Sequence, residues 1–563
     1  SIDKQKSSII IHVMSHVSRN QIIGTEPAMT LNALLILSSS ALRLPNLIRS
    51  NLNSVLQKPL RFKGTLYVQI WKPPVNVHCP SQVPPFWGNP STWNTTAKTV
   101  YSLATATCPH VDVRFVLKNS RTGQIAQQAL STKKLINLVF VDHQLRSSER
   151  EIQDFVSHDV INKSSDLRVE FLKEVNLPDE EPQMEPPNVM ETYDAVVLGG
   201  TFDRIHNGHK ILLTESVLRC KKKLTVGVTN EEMTKSKRLN ELMEPCEVRM
   251  ENVLEFLEDT SPALEFRVVP ISDPFGPTIS EENMDAIVVS QETIKGATKI
   301  NEIRSQKGFR PLVVHSIDLV GDPHKESELE EEKVSSSSQR LRILGTRLRP
   351  PLKEPSLPYI IGLTGGSCSG KSTVCEYLED ALNVPSINCD QLGHEAYKSG
   401  TVCFREIVAT FGEDVLNEGK SEINRRVLGS KVFGRPEELK KLTDIVWPEI
   451  KRLTEVKISE MVAQGHTVIV LDAAVLLEAA WYDNCHEIWV AFVPRQEAVS
   501  RIQARDKLSK EDTEKRVDSQ LSNQSRLSKA TFAFCSLWEV EFTRKQVDKA
   551  WAEIETVIES ISS

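Results

Sequence analysis

Two short stretches carry residue types and spacings suited to phosphate chemistry. In "YIIGLTGGSCSGKSTVCEYLEDAL" an apolar run leads into Gly365-x-x-x-x-Gly370-Lys371-Ser372, and an amphipathic segment follows. A glycine-rich turn between strand and helix lets backbone N–H groups point inward at the positive end of the helix, which cradles phosphates. Lys371 would reach the outer phosphates and the Ser372 hydroxyl would ligate Mg²⁺. Gly365, Gly366, Ser367, Cys368, Ser369, Gly370 and Thr373 complete the candidate nucleotide contacts.

The second stretch is "VVLGGTFDRIHNGHKILL", in which His206 and His209 stand three apart where a strand gives way to a helix. As zinc ligands they need a third donor; Asp203 is the conceivable one, and no Cys–His cluster supports it. As surface histidines they leave "GGTFD" and Gly208 unexplained. A phosphate reading uses every residue. Gly199 and Gly200 permit a sharp turn, Gly208 permits close approach to a ligand, and both imidazoles fall on a first helical turn that favours anions.

Elements that would position these groups are legible around them. "YDAVVLGG", "KLTVGVTN", "LEFRVVPI", "MDAIVVSQ" and "RPLVVHSI" are β-branched runs separated by amphipathic segments, and a second alternation starts at Tyr359. Strands alternating with helices mean βαβ units and parallel sheets. The expected fold is α/β: two doubly wound parallel-sheet domains in series, after a poorly specified N-terminal α/β region. The boundaries read as an N-terminal extension over 1–63, a domain without chemical motifs over 64–172 and an acidic Pro-rich linker over 173–190. The histidine domain follows over 191–321, a linker over 322–356 and the phosphate-loop domain over 357–563.

Composition bounds the rest. The 563 residues exceed one core, and 40% hydrophobic with 25% charged residues is the balance of a globular protein. A net charge of −7 gives no whole-chain reason to expect nucleic acid. Ten cysteines without a C-x-x-C pair argue against a disulfide framework. Residues 29–63 hold Arg43, Arg49, Lys58, Arg61 and Lys63, many serines and no acidic residue, the composition of a mitochondrial transit or anchor segment. Their apolar run is broken and shorter than the about 20 residues of a membrane span. Mitochondrial association, at the outer membrane or in the matrix and peripheral to any membrane, is therefore expected, with cytoplasmic residence as a second location.

A small-molecule kinase also needs a carboxylate to orient the acceptor hydroxyl and a mobile basic lid. "VPSINCDQLGHEAY" puts Asp390 at the end of a second strand, expected beside the phosphate loop. "RQEAVSRIQARDKLSKEDTEKRVDSQ", with Arg501, Arg505 and Arg516, reads as the lid or as a solvated helix pair. These segments with "VIVLDAAVLLE" resemble the dephospho-CoA kinase family. The resemblance implies Asp390 as catalytic base and Arg501 and Arg505 as lid arginines. Trp447 and Ala474 depart from the bacterial pattern, where histidine and proline are usual.

"GGTFDRIHNGH" resembles the T/H-x-G-H motif of the nucleotidyltransferase superfamily, with Thr201, His206 and His209 in the motif positions and Phe202 beside them. That implies two histidines stabilising an α-phosphate through its pentacoordinate transition state. "SQETIKGATKINEIRSQKG" and "SDPFGPT" resemble eukaryotic phosphopantetheine adenylyltransferase. The resemblance implies Ser290, Glu292, Thr293, Gly296, Asn301 and Arg304 as adenosine and phosphate contacts, with Lys235 and Lys237 gripping phosphates. The order of the two resemblances matches bifunctional coenzyme A synthases of animals. They imply ATP as co-substrate in both steps, Mg²⁺ as cofactor, and 4′-phosphopantetheine, dephospho-CoA and coenzyme A as partners. Two other readings stay open: a transferase with a different acceptor fused to a small-molecule kinase, and a scaffold in which one domain is inactive.

Overall fold

The computed structural model describes residues 31–38, 49–52, 54–55, 64–71, 90–118, 129–174, 189–262, 264–419, 421–432 and 434–562. The chain divides into two compact units, one of residues 1–190 with 258–263 and one of residues 191–257 with 264–563.

The first unit contains an all-parallel sheet of β1 (Asn32–Leu37), β2 (Thr65–Ile70), β3 (Asp112–Phe115), β4 (Ile136–Val141) and β5 (Lys163–Phe171), in the order β3-β2-β1-β4-β5. Helices Pro90–Thr107 and Glu149–His158 lie between its strands in the chain. β1 is the central strand, and Ala33 to Leu37 are each 0% exposed. A parallel strand covered on both faces reads as a continuous apolar run, so "NALLIL" has the same texture as a targeting segment. The expected boundary at 64 is corrected here: Asn32–Leu37 of the stretch 29–63 is a strand of the same sheet as β2 to β5, so the domain includes it. Positions 29, 30, 39–48, 53 and 56–63 of that stretch lie outside the described residues. Among the described residues no helix is long and apolar enough to cross a membrane.

The second unit carries two further parallel sheets. The middle one comprises β6 (Tyr193–Gly200), β7 (Cys220–Thr229), β8 (Glu265–Ile271), β9 (Ala286–Ser290) and β10 (Val313–Ile317), ordered β10-β9-β6-β7-β8. The last comprises β11 (Tyr359–Gly365), β12 (Ser386–Asn388), β13 (Val468–Asp472), β14 (Glu487–Phe492) and β15 (Phe532–Cys535), ordered β12-β13-β11-β14-β15. In both, the chain reverses direction across the sheet beside the strand that carries the motif. That is where ligands enter doubly wound folds.

Residues 322–356, expected to be a linker, are built into both domains. Helix Ser336–Arg342 is N-capped by Ser335, whose hydroxyl accepts from the Ser338 N–H at 3.1 Å. Leu341 and Leu344 share one core with Leu239 and Leu242 of the middle domain and with Ile488, Val490, Phe492 and Ala533 of the last sheet. Beyond it, Arg347 donates to the buried Glu487 at 2.9 Å, and Arg349 donates to the carbonyls of Leu527 and Ala530, both at 2.9 Å. Charge and serines misled the linker reading because several of them, among them Glu330, Ser335, Ser338 and Arg340, are buried and find partners inside the fold.

Leu344→Ala should therefore cost about 2–5 kcal/mol, the range for deleting a buried leucine. Hydrogen exchange should show amides of β6 and β14 losing protection together. A loss confined to the last sheet would show that the shared core does not couple the two domains.

Candidate active sites

After β6 the chain turns through residues 201–206 into helix Asn207–Arg219. Phe202 and Arg204 have φ of 52° and 48°, left-handed values that non-glycine residues adopt at a cost and chiefly at functional turns. Their surroundings hold them there. Buried Arg249, on the helix that starts at Cys246, donates to the carbonyls of Thr201 (2.7 Å), Thr229 (2.8 Å) and Glu244 (2.8 Å), tying the ends of β6 and β7 together. Asp203 is also buried; it accepts from the Glu244 N–H at 3.0 Å and forms an ion pair with Arg340.

This turn stacks His206 on His209, with ring centroids 3.8 Å apart at 22°. Both Nδ1 atoms are buried without a hydrogen-bond partner. Burial, helped by His209, Lys210 and Lys333, pushes the His206 imidazole well below its usual value. His209 is pushed down to about 3, by burial first and Lys237 second. Near neutral pH both rings are uncharged and offer N–H donors rather than cations. Gly208 serves the rings more than a ligand: a Cβ there would stand 3.2 Å from His206. Asp203 is committed to Arg340, and among the described residues no three His, Cys, Asp or Glu side chains gather to hold a metal.

In the last sheet the turn after β11 places Cys368 at φ 59° and Gly370 at φ 86°, just before helix Lys371–Asp380. A Cβ on Gly370 would lie 2.5 Å from Ser536, and one on Gly365 would lie 2.4 Å from the Ser369 hydroxyl. Both glycines are fixed by close packing. Lys371 Nζ lies 2.6 Å from Asp472 and 3.3 Å from Asp390. Burial alone would lower the lysine pKa, but Asp472 and then Asp390 outweigh it and the net shift is upward. Burial pushes the Asp472 carboxyl up, against the opposing pull of Lys371. Ser372 is exposed on the first helical turn.

A family model for dephospho-CoA kinase matches residues 359–535, and one for cytidylyltransferase-like proteins matches 197–342. A dephospho-CoA kinase of Geobacter sulfurreducens is 38% identical over 34% of this chain and 98% of its own length. A phosphopantetheine adenylyltransferase of Methanothermobacter thermautotrophicus is 44% identical over 23% of this chain and 75% of its own. The Saccharomyces cerevisiae phosphopantetheine adenylyltransferase is 37% identical over 30% of this chain, which spans only 54% of that relative. The chain belongs to the phosphopantetheine adenylyltransferase and dephospho-CoA kinase families, fused in that order.

The cytidylyltransferase-like match ends on the last residue of helix Ser336–Arg342, so it includes the first part of the segment read as linker. That helix and the residues just before it contribute three groups the sequence reading missed. Arg340 pairs with Asp203, the Ser336 hydroxyl donates to the Asp203 carbonyl at 2.8 Å, and Lys333 just upstream pairs with Glu292. A serine cap ahead of Arg340 and Arg342 was the available signal for a helix with a basic end. Lys235 stays on the surface, paired with Glu232 at 2.7 Å, while Lys237 is close enough to bear on His209. The Ser290 and Thr293 hydroxyls lie 3.2 Å apart at the start of the following helix.

Two expected contacts are corrected. Arg304 is fully buried and donates to the carbonyls of Arg310, Thr278, Glu281 and Glu282. Asn301 exchanges two hydrogen bonds with Leu312, at 2.9 and 2.8 Å. Both hold the domain's own loops rather than a substrate.

In the kinase domain the strand beside β11 is β13, not β12. The nearest carboxylate to Lys371 is therefore Asp472, which the sequence reading passed over, and Asp390 stands behind it. Gln520 was also missed: its amide accepts from the Ser367 N–H at 3.0 Å and donates to the Ser367 hydroxyl at 2.9 Å. Arg501 does reach the phosphate loop, donating to the Cys368 carbonyl at 3.3 Å and to Ser536. Arg505 is held instead by Asp506 at 2.7 Å. Trp447 packs edge-on against Trp481, so its departure from the family pattern is a matter of core packing.

The histidine pair predicts an acid sensitivity with a definite sign. Folding holds both rings below their unfolded pKa, so the unfolded chain binds more protons and stability falls as pH drops through about 6.5 towards 3. Asn at position 209 removes one such proton site. The fall in urea midpoint between pH 7.5 and 5.0 should be smaller in His209→Asn than in the native protein, and an equal fall would contradict the neutral ring.

Proposed function

We propose that the chain carries out two consecutive reactions. The phosphate of 4′-phosphopantetheine attacks the α-phosphorus of ATP, pyrophosphate leaves, and dephospho-CoA forms. The ribose 3′-hydroxyl of dephospho-CoA then attacks the γ-phosphorus of a second ATP, giving coenzyme A and ADP. The observation that carries this reading is the presence of both motif sets, each gathered into one site, in two families of which the second consumes what the first makes.

In the first site His206 and His209 donate to the oxygens of the α-phosphate, and Lys237 and Lys333 offset the charge that builds there. In the second, Asp390 takes the proton of the attacking hydroxyl, while Lys371 moves from its carboxylates to the β- and γ-phosphates. Asp472 positions Lys371 until the nucleotide arrives. The oxygen donors of Ser372 and Asp472 fit Mg²⁺; they would hold it, and it supplies charge neutralisation on the phosphates.

His209→Ala should slow pyrophosphate release by about 10²–10³-fold, the usual cost of losing one such donor, and leave phosphorylation of supplied dephospho-CoA intact. Asp390→Asn should do the reverse, with dephospho-CoA accumulating. If either change abolished both steps in a folded protein, the two sites would not be separate.

Mitochondrial association is proposed from the basic, acid-free composition of residues 29–63. β1 lies within that stretch, so the test keeps the chain intact. The intact protein carrying a fluorescent tag should collect at mitochondria and disperse when the five basic residues are changed to glutamate. Unchanged mitochondrial signal in that variant would reject the segment as the determinant.

A further inference from the structure

Between the two catalytic domains lies a cavity of about 770 Å³, within the size range of small-molecule sites. One wall is the adenylyltransferase segment 235–241, with Lys235, Lys237 and Arg238. The other is the kinase phosphate loop at Gly366, Ser367 and Ser369, flanked by Gln520 and Arg526. The cavity therefore touches groups of both sites. Lys237 helps keep His209 neutral, and Ser367 belongs to the loop that cradles phosphates.

Its charge points to the ligand. Of the lining ions, Arg495 and Asp518 cancel as a pair at 2.8 Å. Lys235 is paired with Glu232 at 2.7 Å, which leaves Lys237, Arg238 and Arg526 against Glu241 in the lining. Arg526 is 3% exposed, and its Nε is buried with no hydrogen-bond partner. Its nearest carboxylate, Glu478, is 3.7 Å away. A Cβ on Gly366 would stand 3.3 Å from its Nη1, so this guanidinium lies against the phosphate loop with a donor unspent. A buried cation missing a hydrogen-bond acceptor, beside backbone built for phosphate, calls for an anion.

We propose that this cavity holds dephospho-CoA, through its diphosphate, as it leaves the adenylyltransferase site, and passes it to the kinase site without release to solvent. The inference rests on the two-step reading above. No bond changes in the transfer; pyrophosphate has already left and the second ATP has yet to react. The shared leucine core beside the cavity, which includes Leu239 next to Arg238, keeps the two walls in register.

The test uses the full chain with ATP, Mg²⁺, isotopically labelled 4′-phosphopantetheine and an excess of unlabelled dephospho-CoA. Mass spectrometry then compares the labelled fraction of early coenzyme A with that of free dephospho-CoA. Passage through the cavity predicts coenzyme A several-fold richer in label than the free pool, and equal fractions would overturn it. The paired variant Gln496→Glu, Gln524→Glu adds negative charge to exposed lining residues outside both sets of reacting groups. Each partial reaction, supplied with its own substrates, should keep its rate in this variant while the enrichment drops to the level of the pool. Retained enrichment would reject the cavity as the route, and loss of a partial reaction would make this wall part of that site instead. Failure of the native chain to perform one partial reaction would refute the two-step reading itself, before any label is followed.

Discussion

Asp203 and Arg340 carry opposite charges where water does not reach, with side chains 0% and 2% exposed. Removing such groups from water costs several kcal/mol each, and their attraction offsets it only when the remaining donors and acceptors are also used. They are used here. Asp203 accepts from the Glu244 N–H, and Arg340 donates from Nε to the Arg238 carbonyl at 2.9 Å. The pair therefore fixes helix Ser336–Arg342 against the histidine turn, and Leu341 and Leu344 carry that fixation into the core under β14 and β15. Where the kinase stands relative to the adenylyltransferase is decided from inside the first active site.

The same pair bears on the chemistry. Asp203 follows Phe202 and precedes Arg204, both in left-handed backbone that the chain would leave if it were free to. Arg249 from one side and Arg340 from the other hold the turn, so His206 and His209 arrive stacked and neutral, with neither Nδ1 making the hydrogen bond that would normally orient an imidazole. The backbone strain is thus borne by residues outside the reacting set, while burial keeps the two rings neutral and leaves them N–H donors to offer an entering phosphate.

How much of this the sequence shows depends on whether a backbone constraint enforces a residue type. The phosphate loop is legible because the positive φ of Gly370 and the close approaches at Gly365 and Gly370 demand glycine at set positions, and the β-branched runs on either side identify the strands. In the Gly-Gly-Thr-Phe stretch both glycines end β6, and the left-handed residue is Phe202. Asp472 is not legible: it ends the buried strand "VIVLD", and no spacing relates it to Lys371 until β13 is known to pair with β11. The long helical excursion between β12 and β13 hides that pairing, which is why Asp390 was expected in the nearer position. β1 was concealed in the opposite way, because two-sided burial gives a strand the texture of a targeting segment. Arg304 and Asn301 show a further limit. A polar residue in a segment that resembles a ligand-binding one can equally serve the segment's own backbone, and only the hydrogen-bond partners distinguish the two uses.

Both sites bind polyphosphates, yet several of their cations are already engaged without them. Lys371 is shared by Asp472 and Asp390, Lys333 is held by Glu292, and Arg505 by Asp506. Gln520 occupies the Ser367 N–H that a phosphate would otherwise meet. An entering nucleotide therefore exchanges one set of charge-assisted hydrogen bonds for another, and the net gain is smaller than the contacts it makes would suggest. The arrangement suits a chain in which the product of one site must leave it to become the substrate of the next. Internal carboxylates compete with phosphates for each cation, so a bound diphosphate is held firmly enough to be oriented and weakly enough to be released. Arg526 is the exception: it lacks an acceptor for its Nε and has its nearest carboxylate beyond hydrogen-bond distance. Among the described residues that line the cavity, it is the buried cation.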